Sequence, residues 1–198
     1  MGRALAPLLL IYLVYHLPAL AQSLNCDATD VRFDLAASGP LTWVGSYPVA
    51  SLAGYLHLLE GTTPLLFLPT QVVGGGQPHR VTCTVSTPNA GGGGGTLCGA
   101  GTTRCLRILS IGGSLPPPLN PSTRLRVQVQ VVSGNATSHA PTPTPIGSLP
   151  DNRGLASIAR NTTAVLWLWF YLEMDPGDAF SPLPTGGTLT LSYTLRND

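Results

Sequence analysis

The chain has 198 residues, with ten arginines, no lysine and nine acidic residues, and its formal net charge is +1. A near-neutral chain without a basic run lacks the electrostatic footprint that phosphate backbones require, which excludes nucleic acid as a partner. Its 23 glycines and 19 prolines exclude an all-α fold, whereas 43% hydrophobic residues suffice for a buried core and exclude wholesale disorder.

Residues 1–21 have the features of a secretory signal peptide. A basic residue, Arg3, precedes an apolar run over residues 8–15, and the segment ends in Ala19-Leu20-Ala21. Small residues in this spacing are typical of a cleavage site, here before Gln22. The sequence therefore predicts a mature chain that enters the secretory pathway with nine arginines and nine acidic residues.

Four cysteines remain in the predicted mature chain: Cys26, Cys83, Cys98 and Cys105. An even number in an oxidising compartment indicates two disulfides, for which three pairings exist. Cys98 and Cys105 bracket a flexible hexapeptide that could close a small loop, so we predict this pair together with Cys26–Cys83. The alternative, a zinc site, lacks any Cys-x2-Cys pair and is supported only by His79 near Cys83. No metal is expected.

Two Asn-x-Thr sequences are candidate N-glycosylation sites. Asn135-Ala136-Thr137 and Asn161-Thr162-Thr163 both lack a proline at the middle position. Such sequences accept a glycan only in the secretory pathway, so this prediction depends on the signal peptide.

Alternating apolar and polar residues predict strands at residues 80–85, 125–131 and 187–195. We therefore expect an all-β fold made of immunoglobulin- or fibronectin-III-like β-sandwich units. A Pro-Leu corner precedes the strand at both Leu119 and Leu183, which suggests two related units. The expected organisation is a signal peptide (1–21), an N-terminal β-rich region with the disulfides and a glycine-rich loop (22–115), and a C-terminal sandwich-like region (116–198).

The segment 165–172 is apolar on both faces, because Trp167, Trp169 and Tyr171 alternate with leucine and phenylalanine. A strand of this kind either is covered on both sides within its own chain or presents one face to a partner. Aromatic residues are enriched at interface hot spots. We predict that these three residues bind a partner. The alternative, that both faces are covered within the same chain, stays open.

Two stretches resemble uroplakin ectodomains. Residues 127–137, a strand that ends in Asn-Ala-Thr, resemble an early strand of type III uroplakins, and residues 181–198 resemble a later one. Residues 147–150 resemble type II uroplakins more loosely. The chain departs from the family in having no cysteine after Cys105. The resemblance implies an apical-surface glycoprotein that pairs with a tetraspanin-type protein and builds a membrane plaque.

No residue pattern indicates catalysis. His57, His79 and His139 lie outside any nucleophile motif, and no two acidic residues are marked as a pair. We therefore expect a non-enzymatic extracellular glycoprotein, without cofactor, that acts through contacts with a cell-surface protein. The alternative is a secreted soluble carrier with its ligand beneath Trp167 and Trp169. The strongly apolar run at 164–172 is too short to span a bilayer, so a membrane anchor, if there is one, is expected outside this chain.

Overall fold

The computed structural model describes residues 22–33, 64–89, 98, 103–115, 119–175 and 187–197. The predicted signal peptide and the glycine-rich loop at 91–95 lie outside these residues. Within the described ranges, twelve strands form two antiparallel sheets. Sheet A contains β1 (Ser23–Cys26), β3 (Leu65–Phe67), β5 (Arg80–Ser86), β7 (Leu125–Ser133), β9 (Thr144–Pro145) and β11 (Thr163–Met174). Sheet B contains β2 (Asp30–Phe33), β4 (Gln71–Val73), β6 (Thr103–Ser114), β8 (Ala136–Ser138), β10 (Gly154–Ala159) and β12 (Gly187–Asn197).

The described strands alternate strictly between the two sheets along the chain. The order in sheet A is β1-β5-β11-β7-β9, and β3 continues the edge of β11 beyond the end of β5. The order in sheet B is β4-β2-β12-β6-β10-β8. Among these described strands, no two consecutive ones pair with each other, so each sheet is built from segments that are separated in sequence.

The core lies between the sheets and is filled by the inward side chains of both. Alternate residues of β11 are fully buried, and so are Leu189 and Leu191 of β12. The other strands contribute valine, leucine, isoleucine and phenylalanine to the same cluster. The expectation of an all-β sandwich is confirmed. Strands from both sides of residue 115 enter each sheet, so they share one core rather than packing as two independent sandwiches.

A short helix directly precedes each of two strands, β7 and β10. The helix α1 (Pro121–Arg124) begins after Asn120, whose side chain accepts a hydrogen bond of 2.9 Å from the backbone N–H of Ser122. The helix α2 (Pro150–Arg153) leads directly into β10. Both helices begin with a proline, which fits the first helical turn because its missing N–H would have no partner there.

Candidate functional site: the outer face of sheet A

The strand β11 lies in the middle of sheet A, with β5 and β3 on one side and β7 on the other. Its inward side chains, Leu166, Leu168, Phe170 and Leu172, are fully buried in the core. Its outward side chains therefore lie on the face of sheet A that points away from sheet B. The alternation read from the sequence is confirmed at this strand.

The three predicted partner-binding residues lie in a row on this outer face. Trp167 and Trp169 are half-buried, whereas Tyr171 is buried with 5% of its surface exposed. We call this row, together with Arg80 and Gln128 beside it, the aromatic face. Because the two tryptophans do not enter the core, their burial comes from neighbours on the sheet surface.

Arg80 covers part of both tryptophans. Its register position in β5 is opposite Trp169, and its guanidinium carbon lies 3.5 Å from the ring centroid of Trp167 and 5.6 Å from that of Trp169. A guanidinium at this distance is attracted by the negative face of the ring. The aromatic face thus combines two partly accessible indoles with a positive charge.

Tyr171 is fixed by hydrogen bonding at the other end of the row. Its hydroxyl donates to Oε1 of Gln128 at 2.8 Å, and Gln128 Nε2 donates to the carbonyl of Pro141 at 2.9 Å. Burial raises the pKa of Tyr171. Next to it, Arg126 forms an ion pair with Glu173 and donates from Nη1 to the carbonyl of Pro143 at 3.3 Å. The Pro/Thr segment at 140–145 therefore lies along β7 and holds this end of the face in place.

Both predicted disulfides are present. Cys26 and Cys83 face each other directly in the β1–β5 pair, with Cα atoms 4.0 Å apart. The backbone N–H of Asp27 donates to the carbonyl of Thr82 at 3.0 Å. The adjacent cysteine pair is therefore a non-hydrogen-bonded pair, in which opposing Cα atoms approach most closely. Cys98 and Cys105 are joined as well, with Cα atoms 5.6 Å apart, and the described chain has no free cysteine.

The two candidate glycosylation sites lie at the same end of the sandwich. Asn135 is in the connection between β7 and β8, Asn161 is in the connection between β10 and β11, and both are exposed. The backbone N–H of Ala159 donates to the carbonyl of Asn135 at 2.9 Å, which places the two connections side by side. Asn161 has a φ of +50°, a conformation that asparagine tolerates better than most residues.

One polar cluster was not foreseen from the sequence. Nε2 of His139 lies 2.7 Å from Oγ of Ser157, and the Ser157 hydroxyl donates to the backbone carbonyl of Cys98. Because the hydroxyl proton is directed to that carbonyl, Ser157 accepts from His139 rather than giving up its proton. This arrangement anchors Cys98 over sheet B. The histidine His57, considered above for catalysis, lies outside the described residues. Among the described residues, no three histidine, cysteine or acidic side chains cluster as metal ligands.

A cavity of about 220 Å³ opens at an edge of the sandwich, away from the aromatic face. It lies between β1 and β12 and is lined by Leu24, Asn25, Cys26, Thr29 and Tyr193. Neither Trp167 nor Trp169 lines this cavity, so it is not the ligand space that the carrier hypothesis placed beneath them.

Comparisons with known proteins give no assignment: no family model, no curated protein and no solved structure matches the chain. Across the ranges that the structure describes, no helix is long and apolar enough to cross a bilayer.

Proposed function

We propose that this chain is a non-enzymatic extracellular glycoprotein ectodomain that binds a protein partner through the aromatic face of sheet A. The observation that carries the proposal is the half-burial of Trp167 and Trp169 on a face that the core does not use. Tryptophan, tyrosine and arginine are the residues most enriched at interface hot spots, and all three types meet here.

An extracellular location is supported by the two disulfides, which persist in oxidising compartments and are rare in the cytosol. The exposed Asn135 and Asn161 are suited to carry N-glycans on the same route. Both acceptors lie in connections at the end of the sandwich rather than on the aromatic face, so glycans there leave room for a partner on the outer face of sheet A.

Within this class, the proposed role is that of a uroplakin-like structural or adhesion component of the cell surface with a tetraspanin-type partner. This finer proposal is supported by the resemblance of residues 127–137 and 181–198 to uroplakin strands. In the structure the first stretch covers most of β7 and the beginning of β8, and the second contains β12.

The test compares two neighbouring residues of β11 that point in opposite directions. Trp169→Asp places a charge on the aromatic face, so the protein should be secreted and folded but bind cell surfaces about 30-fold more weakly. Leu168→Asp places the same charge in the core and should prevent secretion, since an unpaired buried charge costs several kcal/mol. Ser110→Asp, at an exposed position of β6 in sheet B opposite the uncharged Ser192, is the matched control and should behave as wild type.

The measurements are the amount of secreted protein, its circular dichroism, and flow cytometry of cells incubated with the purified chain. A secreted and folded Trp169→Asp variant that binds as tightly as wild type would remove the aromatic face from the functional account. Loss of secretion by this variant would instead make Trp169 a structural residue.

A further inference from the structure

The strand β12 has a paired half and an unpaired half on the side that faces β2. The strand β2 pairs with residues 187–190, and the last bond on this side runs from the Leu191 N–H to the carbonyl of Thr29 at 2.8 Å. Backbone groups of an antiparallel strand point to alternate neighbours. Tyr193 and Leu195 therefore direct their N–H and C=O groups toward the same side as Leu191, beyond the point where β2 begins.

These backbone groups have almost no partners in the part of the chain that the structure describes. The Leu195 carbonyl accepts a hydrogen bond of 3.1 Å from Nε2 of Gln22, which confirms the direction in which it points. The Tyr193 N–H and C=O and the Leu195 N–H pair with no strand. Within the described residues, this stretch is thus an open sheet edge.

The cavity described above lies directly over this open edge. It is bounded on the sheet A side by Leu24, Asn25 and Cys26, and on the sheet B side by Tyr193. The Tyr193 hydroxyl is buried and has no hydrogen-bond partner among the residues that the structure describes. A strand added beside β12 would send its inward side chains into this space, so the edge and the cavity together have the form of a site for an extended segment.

The other edge strands are short or protected. The strand β9 has two residues, one of them Pro145, β3, β4 and β8 have three residues each, and β1, the other edge of sheet A, has four. Short edges and prolines are the devices by which natural sheets avoid pairing with other chains. The open stretch of β12 has neither: residues 192–197 contain no proline and a single charge, Arg196.

We propose that the occupant of this edge is a second copy of the chain, whose own β12 pairs with it in antiparallel fashion across a two-fold axis at Leu195. A two-fold axis makes identical strands antiparallel, which is the geometry that β2 already uses on this edge. The predicted mature chain carries nine arginines and nine acidic residues, so copies do not repel each other through net charge. The proposal is independent of the aromatic face.

The two-fold axis is placed at Leu195 because this register uses the unpaired groups at both Tyr193 and Leu195 and leaves the bond between Leu191 and Thr29 in place. The Gln22 amide gives up its hydrogen bond to Leu195 when the second copy binds. On the outer face of the extended sheet, Thr194 of each copy then lies opposite Arg196 of the other. Two symmetric Thr194–Arg196 pairs result.

The proposed register can be tested at Thr194, where a positive and a negative side chain should change the affinity of the dimer in opposite directions. Purified full-length secreted protein is analysed by sedimentation equilibrium over a range of concentrations, and wild type should show a monomer–dimer equilibrium. Thr194→Lys places two like charges across the interface, opposite Arg196 of the other copy, and should weaken the dimer roughly 5- to 30-fold, whereas Thr194→Glu gives two ion pairs and should strengthen it. Thr194 also lies opposite Arg107 of β6 in its own chain, so the unfolding free energy of each variant is measured separately from dimer dissociation. Thr190→Lys, an exposed residue of β12 beside β2, is the matched control and should leave the dimer unchanged.

Circular dichroism and thermal unfolding of each variant confirm that it is folded. Amide hydrogen exchange supplies a second readout, since Tyr193 and Leu195 should become protected as the protein concentration rises. A monomer at every concentration overturns the proposal. A dimer whose dissociation constant is the same for Thr194→Lys and Thr194→Glu also overturns it, because the copies then meet elsewhere.

Discussion

The guanidinium of Arg80 stacks on the indole of Trp167, 3.5 Å from carbon to ring centroid, and joins β5 to β11 through their outward side chains. Trp167 is thereby covered from one side by a flexible, charged residue rather than by the core. This contact determines how much indole surface the aromatic face offers to a partner, and it can be removed without touching the core.

Arg80→Ala should lower the free energy of unfolding by about 1 kcal/mol and make tryptophan fluorescence more sensitive to acrylamide quenching. The reason is that the cation–π contact is lost and the two indoles become more accessible. The measurements are chemical denaturation and quenching of the native protein. Arg32→Ala is the control, since Arg32 is exposed on sheet B and donates only a 3.5 Å hydrogen bond to Thr188. Equal acrylamide quenching in Arg80→Ala and Arg32→Ala would contradict the conclusion that Arg80 covers the indoles of the aromatic face.

Removing the hydroxyl of Tyr171 and removing that of Tyr193 should change the stability of the protein differently. Tyr171→Phe should destabilise the protein by about 1 kcal/mol at neutral pH, because Gln128 loses its donor. Tyr193→Phe should be neutral or stabilising, because the Tyr193 hydroxyl is buried and forms no hydrogen bond within the described part of the chain. Denaturant unfolding of both variants tests this difference, and a larger loss for Tyr193→Phe would be incompatible with an unpartnered hydroxyl.

Tyr193 should also control stability at alkaline pH. Burial, and secondarily the negative charge of Asp27, raise the pKa of Tyr193 above its usual value of 10.0. The folded state therefore keeps the proton while the unfolded state releases it. The stabilisation is fully present below pH 10.0 and is lost as the pH rises further, at about 1.4 kcal/mol per pH unit. Tyr193→Phe should make the profile of unfolding free energy less steep between about pH 9 and 11, and Tyr171, whose pKa burial also raises, should account for part of the remaining slope. An unchanged slope would show that Tyr193 does not cause the loss of stability.

The two disulfides should contribute unequally. Cys26 and Cys83 are 57 residues apart, and Cys98 and Cys105 are seven apart. By loop-closure entropy, replacing the first pair with alanines should cost about 4 kcal/mol and the second about 2.5 kcal/mol. Guanidinium unfolding of the two double variants measures both, with the reduced wild type as the reference for losing both bonds. A larger cost for the second pair would show that native-state packing around Cys98, rather than loop length, dominates.

Glycosylation at Asn135 and Asn161 should be independent, because both side chains are exposed at the ends of strands. Asn135→Gln and Asn161→Gln should each remove one glycan from the secreted protein, and the double variant should show no further shift after enzymatic deglycosylation. Intact mass and gel mobility give the count. Asn89→Gln, an exposed asparagine outside any acceptor sequence, should change neither. A wild-type chain with unchanged mobility after deglycosylation would show that neither site is used.

Strands with strict alternation were predictable, and those without it were not. The strands β5, β7, β11 and β12 cover the segments read from the sequence and extend each by one to a few residues. The strand β6 was missed because a register shift opposite Ser192 and Tyr193 breaks its alternation, so that the consecutive residues Leu109 and Ser110 are both exposed. The strand β10 was missed because it is buried on both faces and gives no periodic signal.

The candidate site was predictable in part for a similar reason. The row of Trp167, Trp169 and Tyr171 follows from the alternation of one strand, so a single segment suffices to find it. The contact of Arg80 with Trp167 depends on the pairing of strands far apart in the chain, which local patterns do not encode. The same holds for the neighbouring positions of Asn135 and Asn161 and for the cavity at Tyr193.

The alternation of consecutive strands between the two sheets has a kinetic consequence. Because no two successive strands of the described ranges pair, these ranges cannot begin to fold from a local β-hairpin, which forms in microseconds. Every sheet contact must first close a loop that contains at least one strand of the other sheet, and β11 must meet β3 across about a hundred residues. Domains with such non-local pairing fold in milliseconds to seconds. During that time the open edge of β12 and the indoles of β11 are both exposed to other chains. Newly made chains are therefore most prone to aggregate at this stage, when dilution or a chaperone would help most.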